Sequence, residues 1–389
     1  MKTPFTVKKW QLLRWRAKEE RVDLSDSDFI AVGKRVFYKD RFAEEVLLPA
    51  TASAIKTEAF AGCRRLYRVA LSGAGNVGIS RRAFRGCKRL RELENAHMLS
   101  IIGDFAFDGC ARLPAFAFGR DLRKIGEYAF RRCDSMTSIL LPSCVELIGR
   151  GAFFGCTELE SVAMEDGLAA LSRDVFRDCI SLREVAFSSA LREIPIGAFR
   201  GCSALTELIV PSQITRIGKR AFASCARLSD VTVELGTVHI GAKAFADNPR
   251  LKTVFLPHSV KRLGLGAFGL GFCRDEDKIV ISVDNEYMKK RIRRQLFLCL
   301  SFGRAKVTVI GKSIEERKRE RRRSTVEQTP THLIEYGFGR GRTLERRVTF
   351  EKVTLLSKPL HPSKPFQKKQ KRPSAICGRS LLFSKKPLA

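Results

Sequence analysis

Phenylalanine recurs along this chain with a fixed step. It falls at residues 37, 60, 84, 107, 130, 153, 176, 199, 222, 245 and 268, at intervals of 23 residues with a single interval of 24. Eleven units in register restrict the fold severely, because a 23-residue unit is too short to bury an apolar face alone. Stacked copies can share one continuous core. The step also accounts for an odd composition, 27 Phe against 5 Tyr and 2 Trp, since one ring per unit would build an internal ladder.

Other columns keep the same register. One unit reads Ile125-Gly-Glu-Tyr-Ala-Phe130-Arg-Arg-Cys133-Asp-Ser-Met136-Thr-Ser-Ile139-Leu-Leu141-Pro142. Leucine or methionine stands six residues after most of the Phe, as at Leu90, Leu113, Leu159 and Leu182. An aliphatic residue stands nine after, and Ile, Val or Leu five before. The segment L-x-x-V-x-L alternates with period two and ends at proline or a small residue, which predicts a short strand. The segment I-G-x-x-A-F-x-G-C predicts a second short strand followed by a helical or 3₁₀ turn. Parallel strands stack about 4.8 Å apart, so eleven units extend roughly 50 Å.

The pattern I-G-x-x-A-F-x-G-C-x-x-L-x-x-V-x-L-P resembles the BspA-like, or Treponema-type, leucine-rich repeat, across approximately residues 29–272. The resemblance implies a right-handed, curved leucine-rich-repeat solenoid. It also implies a role in binding proteins, since characterised bacterial relatives are surface proteins that adhere to host proteins. The expected fold class is therefore a repeat solenoid with a disordered basic C-terminal tail.

Outside the array the pattern changes. Residues 1–28 read as a cap built on an amphipathic helix at about 7–21, and the solenoid spans 29–278. Residues 279–311 read as a C-terminal cap, with a strand at 279–284, a helix beginning at Glu286 and a strand at 306–311. Residues 312–389 lose all periodicity and gain Pro, Ser and Lys, which predicts disorder over most of that stretch. The net charge is +31, and most of it lies in the last quarter of the chain.

Several chemistries are weighed and set aside. Cys63, Cys87, Cys110, Cys133, Cys156, Cys179, Cys202 and Cys225 each follow a repeat Phe by three. Their spacing follows the repeat and forms none of the C-x-x-C pairs of a zinc site, so they read as small buried packing residues. Asp40 and Asn248 replace Cys near the array's ends, which reads as tolerance. Gly73 to Gly78 matches G-x-G-x-x-G, but Ile79 and Phe84 return to repeat register directly afterwards. That run is expected to be a turn absorbing the single inserted residue. The five His are scattered, and no nucleophile stands beside a base. No enzyme activity, cofactor or metal is expected.

Two surfaces remain as candidates. Outward-facing strand positions put Leu140, Ala163, Ala186, Ile209 and Phe255 beside an acidic strip of Glu184, Glu207 and Asp230. On the concave side, such a strip would bind an unknown protein partner. Basic clusters in the tail, Arg317, Lys318, Arg319, Arg321, Arg322 and Arg323, then Lys368, Lys369, Lys371 and Arg372, are candidates for RNA, DNA or another polyanion, which such charges attract by counterion release. Arg81, Arg82, Arg85, Arg150, Arg173, Arg177, Arg200, Lys219, Arg220 and Lys243 flank the Phe columns and are expected to form a convex basic ridge. The first reading is a non-catalytic protein-interaction scaffold. The alternatives are a nucleic-acid-associated protein and an exported surface adhesin. No small-molecule substrate and no membrane-spanning segment are expected. A charged N-terminus without the apolar run of a secretory signal places the chain in the nucleus or cytoplasm, and the family resemblance keeps the cell surface open.

Overall fold

The structure is a computed structural model that describes residues 6–7, 19–72, 76–269 and 280–283, and the backbone of 332–337 and 344–349. Each turn of the array has three sides. One is a strand of three or four residues, such as Ser138–Leu141 or Asp230–Val233, formed by the L-x-x-V-x-L segment. The second is a two-residue strand ending at the aliphatic residue before glycine, such as Lys124–Ile125. The third carries the phenylalanine. Strands of successive turns pair in parallel on both strand sides. Among the described residues the only helical element is a single 3₁₀ turn at Ala96–Met98, in keeping with a leucine-rich-repeat solenoid.

The Phe side differs from the helical turn expected there. Three successive i→i+3 bonds occur, as from Ala59, Ala61 and Cys63 N–H to the carbonyls of Lys56, Glu58 and Phe60. Left-handed residues interrupt them. Residues two before the Phe, such as Arg35, Glu58 and Tyr128, and two after, such as Lys39, Gly62 and Arg132, have positive φ. The chain therefore cannot wind as a helix. The intervening amides point along the solenoid instead. Arg35, Phe37 and Lys39 N–H donate to Thr57, Ala59 and Ala61 C=O of the next turn at 3.2, 2.7 and 2.8 Å. This side is thus a third parallel ladder, and the A-F-x-G-C glycine stands where that ladder needs a left-handed residue.

The core is the expected ring ladder. Consecutive repeat phenylalanines stack from Phe37–Phe60, with centroids 4.7 Å apart, to Phe245–Phe268 at 5.4 Å. A near-parallel sandwich is not the arrangement two free rings prefer. The backbone ladders set the spacing and the rings follow. Phe130, Phe153 and Phe176 are fully buried between the aliphatic columns.

The N-terminal helix is corrected at both of its ends. Thr6–Val7 is extended and pairs with Ala31–Val32. Arg21–Asp23 is a strand paired with Glu45–Leu47, and Val22, Leu24 and Phe29 already belong to the core. The first turn offers two open sheet edges whose backbone groups need partners, and extended chain can supply them where a helix cannot. Residues 8–18 lie outside the described residues.

At the other end Val280–Val283 pairs with Thr253–Leu256; the expected helix from Glu286 and strand at 306–311 lie outside the described residues. Residues 328–389 form a separate compact unit. Within it His332–Gly337 pairs antiparallel with Leu344–Thr349. Ile334, Tyr336, Val348 and Thr349 favour extended chain, a local signal that the repeat-based reading of the tail passes over.

Both strand ladders are interrupted, each time where a residue breaks its column. On the longer-strand side, pairing stops between Glu92–Glu94 and Ser138–Leu141. There Pro114 has no N–H to donate, and Phe116 and Phe118 stand where other turns carry smaller aliphatic residues. It stops again after Glu184–Ala186, where Phe187 packs edge-on to Phe199. On the two-residue side the gap lies between Leu147–Ile148 and Glu193–Ile194. Ser172 and Pro195 replace the column's usual glycine there, and Pro195 cannot donate to Leu171. The Phe ladder runs through this gap, with its largest tilt, 17°, at Phe176–Phe199.

Candidate partner-binding face

The longer strands present alternate residues outward, so register decides what each neighbour sees. In the N-terminal half the outward column is Glu45, Arg68, Glu92, paired in that order across three strands. Arg68 reaches Glu45 at 3.4 Å, Glu92 at 3.7 Å and Glu94 at 2.7 Å. Arg65 neutralises Glu20 and Glu44 beside them. This half is internally compensated.

The C-terminal half is not. The same column there reads Glu184, Glu207, Asp230, and Glu207 stands directly across from Asp230. Glu184 and Glu207 are exposed, and neither they nor Asp230 forms an ion pair among the described residues. Asp230 accepts hydrogen bonds only from hydroxyls, of Ser229 at 2.6 Å and of Thr253. Beside the acids stand Leu140 and Ile209, 51% and 49% exposed, with exposed Ala186 and half-buried Ala163 between them. Phe255 departs from the expected strip. It is buried at 3%, and its register partner Ser282 is buried too. The outward face is covered at Phe255 and Ser282, although Thr253 on the same face stays exposed, so the apolar column stops being surface before Phe255.

Four of the ten ridge cations are paired with acids that the sequence reading did not single out. Buried Asp108 accepts from Arg131 Nε at 2.7 Å and Arg85 Nε at 3.1 Å, and this contact raises the Arg131 pKa above its ordinary value. Asp174 holds Arg150 and Arg177. Arg82 lies near Glu58 and over the Phe105 ring. Arg35 binds the same Glu58, whose carboxyl it holds below the usual range. Phe105 stacks on Tyr128 at 5.3 Å, and Arg131 lies over both rings. The signal that could have found this cluster was present. Acids and aromatics occupy the columns two before and one after the Phe, the columns of Arg82, Arg85, Arg131 and Arg177. Arg81, Arg173, Arg200, Lys219, Arg220 and Lys243 make no ion pair within the described residues. The tail clusters, Arg317 to Arg323 and Lys368 to Arg372, lie outside them.

The cysteine column does more than fill space. Each buried thiol donates to the carbonyl of the Phe in the preceding turn, as from Cys63 Sγ to Phe37 O at 2.8 Å and from Cys133 Sγ to Phe107 O at 3.2 Å. Asn248 replaces Cys and donates from Nδ2 to Phe222 O at 3.0 Å. The column selects a buried donor, which corrects its reading as simple tolerance. Asp40 stands in the first turn of the Phe ladder, and its carboxylate accepts from Phe42 and Ala43 N–H instead. Burial pushes the Cys156 and Cys225 thiols up to about 12.

A shallow groove of about 490 Å³ runs along the glycine column, over Gly126 and Gly149, between Lys124 and Leu147 on one wall and Glu127 and Arg150 on the other. Its lining includes no nucleophile held against a base. Among the described residues no group of three or more His, Cys, Asp or Glu is placed to hold a metal, and no helix is long and apolar enough to cross a membrane. The run ending at Gly78 opens a strand, Val77–Ile79, with an irregular register against Leu99–Ile102. A repeat turn follows it rather than a nucleotide-binding helix; Gly73 to Gly75 lie outside the described residues.

Three parallel ladders around a phenylalanine column define a leucine-rich-repeat solenoid. More particularly, the chain belongs to the BspA type Leucine rich repeat region family, which matches in six copies over residues 30–157, 77–202 and 146–274. Solved structures similar to it include a leucine-rich repeat protein from Bacteroides ovatus, 18% identical, covering 75% of this chain and 92% of that one with a TM-score of 0.46. The T. pallidum leucine-rich repeat protein is 30% identical over 48% of this chain and 80% of its own, TM-score 0.36. A leucine rich cell surface protein from Faecalibacterium prausnitzii is 19% identical over 74% and 92%, TM-score 0.32. No curated protein matches the chain.

Proposed function

We propose that the chain is a non-catalytic protein-interaction scaffold that captures a protein partner on its longer-strand face. The supporting observation is the strip where exposed Leu140 and Ile209 adjoin uncompensated Glu184, Glu207 and Asp230. Apolar contact rimmed by charge is the usual anatomy of a specific interface. Membership of a leucine-rich-repeat family supports the same reading. On the ridge, Arg82, Arg85, Arg150 and Arg177 already hold acids of their own chain, which leaves six of its ten cations for a polyanion.

The test compares the full chain with a Leu140→Asp, Ile209→Asp double variant as bait in its own cells, quantifying every co-purified protein. Both sites are exposed, so the melting temperature should stay unchanged. At least one protein should be retained by the wild type and lost from the variant. Identical sets on both baits would reject this face as the binding surface.

A further inference from the structure

We propose that the acidic strip docks the chain's own arginine-rich segment, residues 317–323, in cis. The proposal rests on reading this sheet face as a docking surface and names its resident occupant. One column of the longer-strand side carries Glu-Arg-Glu in its N-terminal sheet and Glu-Glu-Asp across its two C-terminal sheets. In the first, the Arg68 guanidinium lies between carboxylates and reaches three of them. In the second, Glu207 and Asp230 face each other across paired strands with no cation between them, an arrangement that destabilises a sheet. Arg183 and Lys252, which precede two of the strands on this face, form no ion pair with any of the three acids. The missing element is the one Arg68 supplies, a guanidinium laid across neighbouring carboxylates.

Residues 317–323 supply it at high density. They read Arg-Lys-Arg-Glu-Arg-Arg-Arg, six cations with one acid. Their tether starts in the right place. Val280–Val283 is the last described strand of the sheet that holds Glu207 and Asp230, and only Thr253–Leu256 separates it from Asp230–Val233. The distance to Asp230 is therefore about 10 Å, two strand spacings. Residues 284–316 intervene, and even wound wholly as helix they would span about 50 Å. Reach is ample, and a tether keeps the local concentration of the segment high. Small Ser138 and Ser161 on the adjoining strands leave room for long side chains, and exposed Leu140 and Ile209 offer apolar surface to their methylene stems. An external partner of this face would then have to displace the segment.

Lys318 is the only lysine of the cluster, which makes the test specific. The full chain, as an equal mixture of unlabelled and ¹⁵N-labelled protein, is treated with a carbodiimide that joins lysine amines directly to carboxylates. Peptides are then mapped. The expected result is Lys318 linked to Glu184, Glu207 or Asp230 within one isotopic species, and lost in high salt. In parallel, trypsin should cut at residues 317–323 slowly in the wild type and faster in a Glu184→Gln, Glu207→Gln, Asp230→Asn variant with an unchanged melting temperature. Links from Lys318 only to other carboxylates, links only between isotopic species, or equal trypsin rates would each overturn docking in cis. None of those results touches capture of a partner through Leu140 and Ile209, which the two-bait comparison decides separately.

Discussion

At the residue scale, the cysteine column shows how a repeated residue can be chosen by one hydrogen bond. A Phe carbonyl inside the array accepts the N–H of the residue three further on, as from Cys133 to Phe130. It also accepts a thiol from the next turn, as from Cys156 to the same Phe130 at 3.1 Å. Cysteine is small enough for the site and still donates, and Asn248 meets the requirement with an amide. Cys133→Ala should therefore destabilise the array by about 1 kcal/mol, the typical loss for one buried hydrogen bond. Asn248 also accepts the buried Cys225 N–H at 2.7 Å and donates to Phe245 O, bonds a thiol does not replace, so Asn248→Cys should cost about 1–3 kcal/mol and Asn248→Leu more than either. Urea titration of the three variants measures this, and a Cys133→Ala variant as stable as the wild type would return the column to packing alone.

At the scale of the elements, the glycine before each turn fixes how closely turns approach on the two-residue-strand side. A Cβ at Gly241 would lie 2.6 Å from the Lys219 amide nitrogen, and one at Gly126 would lie 2.5 Å from that of Asp104. Both obstacles are backbone, so the neighbouring turn itself would have to shift. Gly241→Ala should cost about 1–3 kcal/mol, as for other overpacked sites, although Gly241 has no left-handed φ to lose. Thermal melts with and without the substitution give the answer, and an unchanged melting temperature would mean that the ladder can open there. The sequence makes the strands, the ring ladder and the buried columns legible, because each is a period that the residues repeat. Its interruptions are equally legible once the columns are aligned, at Pro114, Phe116, Ser172 and Pro195. The left-handed residues were hidden. Arg35, Glu58 and Tyr128 adopt a conformation that residue type alone does not announce, and the ladder between turns imposes it. Burial of Phe255 was hidden for a related reason, since a strand's alternation tells which side a residue faces and not whether that side is covered.

At the scale of the whole molecule, the thiol column ties folding to pH. Eight buried Cys share the interior, and burial holds Cys133, Cys179 and Cys202 far above their ordinary range, with Cys156 and Cys225 at about 12. In the unfolded chain a thiol ionises near pH 8.5. Between that value and the folded one, the native state keeps protons that the unfolded state releases. The unfolded state binds fewer protons throughout this window, so stability falls as pH rises. It is complete below about pH 8.5 and decays toward pH 12, by up to about 1.4 kcal/mol per thiol for each pH unit. With eight such groups in one core, the melting temperature should hold steady from pH 7 to 8 and drop steeply above pH 9. A Cys156→Ser variant removes one titrating group and should flatten that drop, whatever its effect at neutral pH. The Lys and Tyr side chains that also titrate in alkali are common to both proteins, so the difference in slope isolates the thiol. Equal slopes would mean that the buried cysteines ionise in place, and the column could not then be the closed interior that the stacked turns form around it.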